Sequence, residues 1–482
     1  MKVWSNVVAV TTAILLMAAT GMAAKGRKLP PDAYIKTAKI EIIEAKGDSA
    51  RINTAIAMLD SLIMNHGPRP EAYYWMTKIM VDLSNAKTNP RDKQPYVERL
   101  VAYADSLKWC CQDEKIEKKL REKCDDFLLD IDSANVYVQW RDFYNDGIAR
   151  LTSIDELSGA MRAEADSTMA ASYKRDLDAA ADTAHQILSL ALLIYPNDQR
   201  SLRAMASLAE KTQQWDTAIV YLQRAIPVSE SPLDVCTAIA YDYIQKGDYC
   251  GAIPWFRQFV DSAVSRPEMV EDQANREAVL STMNNLSICY NNCKQYDSAY
   301  SNFRRLLTLE PASAEALIGV GRFQRQKALE ASDSANYYQK QGDTKLSAEW
   351  QAARETRFDS SRVFLMQATE LKPDDPRLLD EYCMICAIMG QYQQSKPMFG
   401  EARDCFKKLT ELEPTNVDGW MSLGDCHLFL ADFPSAAQAY EKVIELRPTE
   451  KVVLEKLLDL YDSREAKNAS RRAEIQKMLQ NL

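Results

Sequence analysis

The amino-acid sequence predicts an all-α fold built from antiparallel helix pairs that stack one after another. Three observations indicate this class. Apolar residues recur three and four positions apart, which gives each predicted helix one buried stripe. Alternation typical of β-strands is nearly absent, and only 15 glycines occur in 482 residues. Prolines, which cannot continue a helix, recur where the second helix of a pair must end, at Pro196, Pro311, Pro373, Pro414 and Pro448.

A repeated pattern of residue types defines the pairs in the second half of the chain. Residues 420–427 read Trp-Met-Ser-Leu-Gly-Asp-Cys-His, and Ala436, Tyr440 and Pro448 follow at fixed offsets. The same frame recurs upstream. In each pair a small residue of the first helix, helix A, faces a small residue of the second, helix B, so that the two can approach closely. These residues are Ala206, Ala240, Ser287 and Gly424 on helix A, and Ala218, Ala252, Ala299 and Ala436 on helix B.

This pattern resembles the tetratricopeptide repeat, W-x2-L-G-x2-Y followed by A-x3-F and P with a period of about 34 residues. His427 stands where tyrosine is usual and Tyr440 where phenylalanine is usual. The resemblance extends over about residues 196–448. It implies a right-handed superhelical solenoid that binds partners along its concave face. Together with the N-terminal segment described below, it predicts an exported bacterial member of that family.

Two regions depart from the regular repeat. The segment between Pro311 and Pro373 is too long for one pair and too short for two, which predicts one hairpin with both helices lengthened and a turn near Gly342. The first part of the chain keeps only loose repeat spacing, with predicted helices at 31–45, 49–65, 70–84, 95–110, 114–144 and 166–195. We expect one continuous superhelix, hinged near 145–165.

These observations divide the chain into six predicted segments. They are a signal peptide at 1–24, a degenerate helical-repeat region at 25–195, a tetratricopeptide array at 196–311, a long helical hairpin at 312–373, further tetratricopeptide repeats at 374–450 and capping helices at 451–482. A cap is expected because the last repeat of a solenoid has no neighbour to cover it.

The first residues predict export. Lys2 precedes an apolar stretch at 7–19, and small residues permit cleavage near Ala23 or Ala24. The mature protein is then periplasmic or secreted. The alternative is an uncleaved anchor, and membrane contact is expected only in that case. The net charge of −9 argues against binding of nucleic acid, which requires basic patches.

The 11 cysteines do not form a recognisable disulfide framework, although an exported compartment permits disulfides. Five of them lie at or beside helical packing positions, where cysteine serves as a small hydrophobe; they are Cys236, Cys250, Cys289, Cys383 and Cys426. Cys383 and Cys386 have metal-ligand spacing, but packing is the favoured interpretation because no second pair is nearby. Either Cys110 or Cys111 could pair with Cys124.

Signatures of catalysis are missing from the sequence. The three histidines, His66, His185 and His427, are scattered, and the chain contains no HExxH, G-x-S-x-G or P-loop motif. We therefore predict no catalytic residue, no metal site and no cofactor. A helical-toroid hydrolase with a carboxylate pair is the weakest alternative.

The resemblance implies which side chains face the groove. Helix-A positions 2, 5, 9, 12 and 13 line the concave surface in this family, and the middle repeats place donors there, suited to a peptide backbone or to acidic side chains. The candidates are Tyr241, Asn284, Asn291, Asn292, Arg322 and Arg325. In the competing interpretation, the two arginines pair with Glu315 on their own helix.

The last repeats make the groove apolar. Met384, Met421 and Phe429 suit an aliphatic or helical segment, unless Met421 and Phe429 pack against the terminal helices. Acidic residues also occupy groove positions, among them Asp418 and Asp425. They argue against the subtype of the family that grips a C-terminal carboxylate.

The predicted function is a non-catalytic scaffold that binds a protein or peptide segment, in envelope assembly or secretion. The alternative is a SusD-like helical binder of glycans. Exposed tryptophans at a site would favour it, and Trp215 and Trp350 are the candidates. The oligomeric state does not follow from the sequence.

Overall fold

The computed structural model describes residues 28–164, 167–461 and 468–481. All regular secondary structure in those residues is helical, which confirms the predicted all-α class. The predicted signal peptide and its cleavage point near Ala23 and Ala24 lie outside the described residues. The chain divides into two compact units, Met1–Lys246 and Gly247–Leu482.

The first unit contains ten of the described α-helices. They are α1 (Pro31–Ala45), α2 (Ser49–His66), α3 (Pro70–Asn85), α4 (Pro90–Gln112), α5 (Lys118–Asp130), α6 (Tyr137–Ala163), α7 (Ser167–Ile194), α8 (Gln199–Lys211), α9 (Trp215–Ala225) and α10 (Pro232–Gln245). A π-helical turn, Ile131–Val136, joins α5 to α6, and a short 3-10 helix, Ile226–Val228, follows α9.

Neighbouring helices of the first unit pack in sequence order, α1 on α2, α3 on α4, α6 on α7 and α8 on α9. Their core contains aliphatic side chains, with Leu59, Met76 and Leu100 fully buried, and aromatic ones such as Trp140 and Phe143. The hinge expected near 145–165 is wrong for residues 145–163. They lie inside the single helix α6, and the boundary between the compact units falls after Lys246.

Helix α7 is long and apolar enough to cross a membrane by length and composition. Its apolar side is nevertheless used inside the first unit, where Ala184, Leu188 and Ala191 are buried and the helix packs on α6. Core helices of this kind meet the same criterion, so the helix alone does not indicate a membrane span.

The second unit contains twelve of the described α-helices. They are α11 (Tyr249–Val264), α12 (Pro267–Glu271), α13 (Gln273–Asn292), α14 (Tyr296–Leu309), α15 (Ala314–Lys340), α16 (Thr344–Leu371), α17 (Pro376–Gln393), α18 (Lys396–Leu412), α19 (Val417–Phe429), α20 (Phe433–Leu446), α21 (Lys451–Leu460) and α22 (Ala469–Gln480).

Helices α15 and α16 form the lengthened hairpin, with 27 and 28 residues. Gly342 turns the chain at a φ of +78°, a left-handed conformation that favours glycine. Asp343 then caps α16 by accepting a hydrogen bond from the backbone N–H of Leu346 at 3.0 Å. The lengthening predicted from the sequence is confirmed.

Small residues bring helix A against helix B, as the repeat pattern predicts. A Cβ on Gly321 of α15 would come within 2.8 Å of the Leu365 side chain on α16. In the pair α13–α14, the buried Asn302 amide donates to the Ser287 hydroxyl at 2.8 Å and to the Met283 carbonyl at 2.6 Å.

Three disulfides each join two helices that are near one another along the chain. Cys111 on α4 is bonded to Cys124 on α5, one of the pairings left open by the sequence. Cys250 on α11 is bonded to Cys293 beside the end of α13, and Cys383 on α17 to Cys405 on α18. The expectation that Cys250 and Cys383 serve only as packing residues is therefore wrong. Cys236, Cys289, Cys386 and Cys426, for which packing was expected, are buried free thiols, and so is Cys110.

Candidate functional site

A cavity of about 480 Å³ opens between α13, α14 and α15 in the second unit. Helix α14 packs on both of the other helices, so side chains from three helices converge on one space. The cavity is lined by four of the predicted groove residues, Asn284, Asn291, Arg322 and Arg325. We call this space the α13–α15 cavity.

Aromatic and aliphatic side chains from all three helices form the apolar part of the wall of the α13–α15 cavity. The rings of Tyr300 and Phe323 stack with their centres 4.2 Å apart. Ile288 and Tyr296 line the same space and are 41% and 47% exposed, so a ligand could cover both. Gly319 admits the Phe303 ring, which a Cβ at that position would overlap.

The tyrosines of this wall come from helix B. The repeat frame assigns groove positions to helix A only, so Tyr296 and Tyr300 were not among the candidates. Their position directly after the α13–α14 turn, in register with the pattern, is the signal that could have indicated them.

Most charged groups of the cavity are neutralised by neighbouring helices. The Nε of Arg322 donates to both carboxylate oxygens of Glu381 on α17, at 2.9 and 2.8 Å. These hydrogen bonds raise the pKa of Arg322. Glu315 pairs with Lys372 at 2.6 Å, and the hydrogen bond from Lys372 lowers the pKa of Glu315. The interpretation that Glu315 pairs with the arginines of its own helix is therefore wrong.

Arg325 is the exception among these groups. Its side chain is half-buried, and within the described residues it forms no hydrogen bond or ion pair. Its guanidinium carries five N–H donors and a permanent positive charge. The α13–α15 cavity thus holds a positive charge that no close ion pair fixes, near apolar side chains, although the Asp380 carboxylate on α17 lies within its electrostatic reach.

The asparagines differ in their availability. Neither the half-buried Asn284 nor the exposed Asn291 hydrogen-bonds through its side chain to another described residue, so both amides can serve a ligand. Asn292 turns back on its own helix and donates to the Ile288 carbonyl at 2.9 Å. It does not line the cavity.

The remaining candidates lie elsewhere. Tyr241 is on α10 of the first unit and is 43% exposed. Met384 on α17 is 39% exposed. Met421 is partly buried against the cluster formed by α20, α21 and α22. Phe429 is 49% exposed and stacks on Phe399, with ring centres 4.3 Å apart. These residues do not line the α13–α15 cavity.

Asp425 is less free than its groove position suggests. It accepts a hydrogen bond from the Tyr440 hydroxyl and another from the Lys456 ammonium, the latter at 2.5 Å. The carboxylate therefore holds α20 and α21 to α19.

A second, wider cavity of about 1200 Å³ lies along α18 and α20. Its lining mixes charges of both signs, including Arg403, Asp404, Lys442 and Glu445, and also contains Trp420. The groove positions of helix A did not indicate this space because most of its lining comes from the B helices α18 and α20.

Groups of three or more His, Cys, Asp or Glu side chains that could hold a metal ion do not occur among the described residues. Of the two tryptophans named for glycan binding, Trp350 on α16 is 39% exposed and Trp215 begins α9. Neither lines the α13–α15 cavity.

Comparison with known proteins supports the repeat assignment. Residues 391–451, which include α18–α20, match the family model described as tetratricopeptide repeat. The chain is 22% identical over 195 residues to the human protein O-mannosyl-transferase TMTC1, covering 39% of this chain and 21% of that protein. It is 21% identical over 255 residues to Hsp70-Hsp90 organizing protein 2 of Arabidopsis thaliana, covering 52% of this chain and 42% of that protein. The chain thus spans less than half the length of both curated relatives.

Solved structures with similar folds include MamA, at 14% identity with a TM-score of 0.32, covering 46% of this chain and 95% of MamA. YrrB, described as a TPR protein with an unusual peptide-binding site, is 15% identical with a TM-score of 0.33, covering 49% of this chain and 96% of YrrB.

Proposed function

We propose that this protein is a non-catalytic scaffold that binds an extended segment of a partner protein in the α13–α15 cavity. One observation carries the proposal: the half-buried Arg325, without an ion-pair partner in the described chain, lies in a cavity with exposed apolar side chains and two free amides. Tetratricopeptide repeats and the similarity to Hsp70-Hsp90 organizing proteins, named for the proteins they organise, support a scaffold role.

The cavity suits a peptide because its polar groups match a backbone. An asparagine side chain both donates and accepts hydrogen bonds, as a peptide group does, and Asn284 and Asn291 line one side of the space. Its volume of about 480 Å³ lies within the range typical of ligand pockets. Arginine at the centre of an interface is often a hot spot, where truncation costs about 2 kcal/mol or more.

We further propose that the protein acts after export, in a bacterial periplasm or outside the cell, in envelope assembly or secretion. The three disulfides support this setting because such bonds persist in oxidising compartments. Contact with a membrane is proposed only if the N-terminal apolar segment stays uncleaved. The proposed partner is a protein, not a nucleic acid, in keeping with the net charge of −9.

The experiment compares two variants with the wild-type protein. The triple variant Ile288→Ala, Asn291→Ala and Arg325→Ala alters the α13–α15 cavity. The control, Arg403→Ala and Lys442→Ala, alters the second cavity. Proteins that co-purify from an envelope extract are quantified for each folded protein.

The proposal predicts that a reproducible partner is lost only from the triple variant. An unchanged partner profile for a folded triple variant would contradict it. Met384 and Phe429 would then become the next candidates for the binding surface.

A further inference from the structure

Two oppositely charged groups, Arg325 and Asp380, lie near each other at the α13–α15 cavity. Arg325, on α15, supplies the positive charge described above, which no close ion pair fixes within the described residues. Asp380, on the neighbouring helix A, α17, is half-buried and forms no hydrogen bond or ion pair through its side chain within the described residues. The two groups carry opposite charges without forming an ion pair with each other.

The surroundings of Asp380 are acidic. Burial raises its pKa, and the neighbouring carboxylates of Glu381, Asp418 and Glu413 raise it further, while Arg325 acts in the opposite direction. Glu381 is already paired with Arg322, and Asp418 is exposed at the start of α19. A cation placed beside Asp380 and Asp418 would therefore relieve the repulsion among these acids.

The ion pair between Arg322 and Glu381 shows that α15 and α17 lie within side-chain reach of each other. The long side chains of such an arginine–glutamate pair bridge helices on the order of 10 Å apart, and an extended chain advances about 3.3–3.6 Å per residue. One helix-A spacing therefore corresponds to about three residues of an extended ligand.

We propose that the occupant of the α13–α15 cavity is an extended peptide segment with an ordered charge pattern. A large apolar side chain enters the cavity beside Tyr300 and Ile288, an adjacent carboxylate pairs with Arg325, and a basic residue about three positions away pairs with Asp380 and Asp418. This inference rests on the proposed function and adds the chemistry and the charge order of the ligand.

The order of the two ligand charges is specific because Arg325 and Asp380 would each repel a ligand in which the charges are exchanged. A basic residue at Arg325 would meet a like charge, and an acidic residue at Asp380 would join carboxylates that already repel one another. Discrimination against a wrong partner by repulsion adds to the attraction for the right one.

The test uses four capped peptides that differ only at the apolar position and at the two charged positions. The matched peptide contains Phe-Glu-Ala-Ala-Lys, the charge-swapped peptide Phe-Lys-Ala-Ala-Glu, the neutral peptide Phe-Gln-Ala-Ala-Gln and the unanchored peptide Ala-Glu-Ala-Ala-Lys. Each is also made in reversed sequence, because the direction of the bound chain is not fixed by the charges. Affinities are measured by calorimetry with the full chain.

The wild-type protein should bind the matched peptide, in one direction, at least tenfold more tightly than the other three. The double charge reversal Arg325→Glu with Asp380→Lys should exchange the preference in favour of the charge-swapped peptide. The control Arg304→Glu, an exposed position on α14, should leave the preference of the wild type unchanged. Circular dichroism establishes that each variant is folded.

The outcomes separate this inference from the proposed function. If matched and charge-swapped peptides bind within twofold of each other, and Ile288→Asp weakens both, the cavity still binds peptides but the charge order is wrong. If no peptide binds and the triple variant keeps its partners, the inference and the proposed function both fail.

Discussion

Gly424 on α19 lies directly against the ring of Tyr440 on α20, and a Cβ at Gly424 would come within 2.5 Å of that ring. This is the close approach of helix A to helix B that the repeat pattern requires. Tyr440 is fully buried and cannot move aside freely.

Gly424→Ala is expected to destabilise the protein by about 1–3 kcal/mol, the typical cost of overpacking a filled site. The matched control is Gly400→Ala in α18, where a Cβ would meet nothing within 4 Å. That change should stabilise by about 0.5–1 kcal/mol, because alanine replaces glycine inside a helix. Thermal unfolding of both variants measures the difference, and equal effects would show that the packing frame is shifted.

The pairs that follow this frame could be predicted from the sequence because their signals are local. Apolar spacing, small residues and the absence of proline between Pro311 and Pro373 all lie within one hairpin. The disulfide between Cys250 and Cys293 spans 43 residues. It depends on how α11 packs on α13, which local sequence patterns do not predict. For the same reason, the ion pair of Arg322 with Glu381 could not be predicted.

The thiol content tests the disulfides. The structure contains three disulfides and five free cysteines among the 11 of the sequence. Protein unfolded without reductant should therefore react with five equivalents of a thiol reagent, and with 11 after reduction. Eleven reactive thiols before reduction in protein purified from an oxidising compartment would contradict the assignment.

Removal of one disulfide should lower the free energy of unfolding, because the unfolded chain gains conformational entropy when the bridge is absent. Cys383 and Cys405 are 22 residues apart, and closing a loop of that length is worth about 3 kcal/mol in the chain-entropy model. The variant Cys383→Ser with Cys405→Ser should unfold at lower denaturant concentration than the wild type. In reducing buffer the difference between the two should shrink, since both then lack the bridge.

Asp242 on α10 should make stability depend on pH. Its side chain is 4% exposed, and Oδ2 has no hydrogen-bond partner within the described residues. Burial, with a smaller contribution from Glu210, raises the pKa of Asp242 to about 7. Because the folded-state pKa lies above the unfolded-state value, the contribution of this group is fully present below about pH 4. It is lost as the pH rises through about 7, at up to about 1.4 kcal/mol per pH unit.

Asp242→Asn removes that titration and nearly keeps the shape of the side chain. Relative to wild type, the variant should gain stability as the pH is raised from about 4 to 8, measured by denaturant unfolding at several pH values. The control is Asp234→Asn, at an exposed position of the same helix. A constant difference between Asp242→Asn and wild type across this range would show that Asp242 does not titrate there.

The two arginines of the α13–α15 cavity should differ in their importance for binding. Arg322 is held by Glu381, so its truncation mainly frees a carboxylate, whereas Arg325 has no such partner in the described chain. Arg325→Ala should therefore weaken binding of the partner by about tenfold or more, equivalent to about 1.4 kcal/mol, and Arg322→Ala by less. Titration of the identified partner against each variant provides the comparison, and a larger loss for Arg322→Ala would reverse the assignment.

Binding inside the α13–α15 cavity is the central claim, and site-specific photo-crosslinking tests it most directly. A photoreactive phenylalanine analogue is placed at Ile288 in the cavity or at Val363 on α16, positions that are 41% and 38% exposed. We expect a partner peptide to be crosslinked from position 288, and the crosslink to disappear when Arg325→Ala is added. Crosslinking from position 363 but not from 288, in folded protein, would contradict the account.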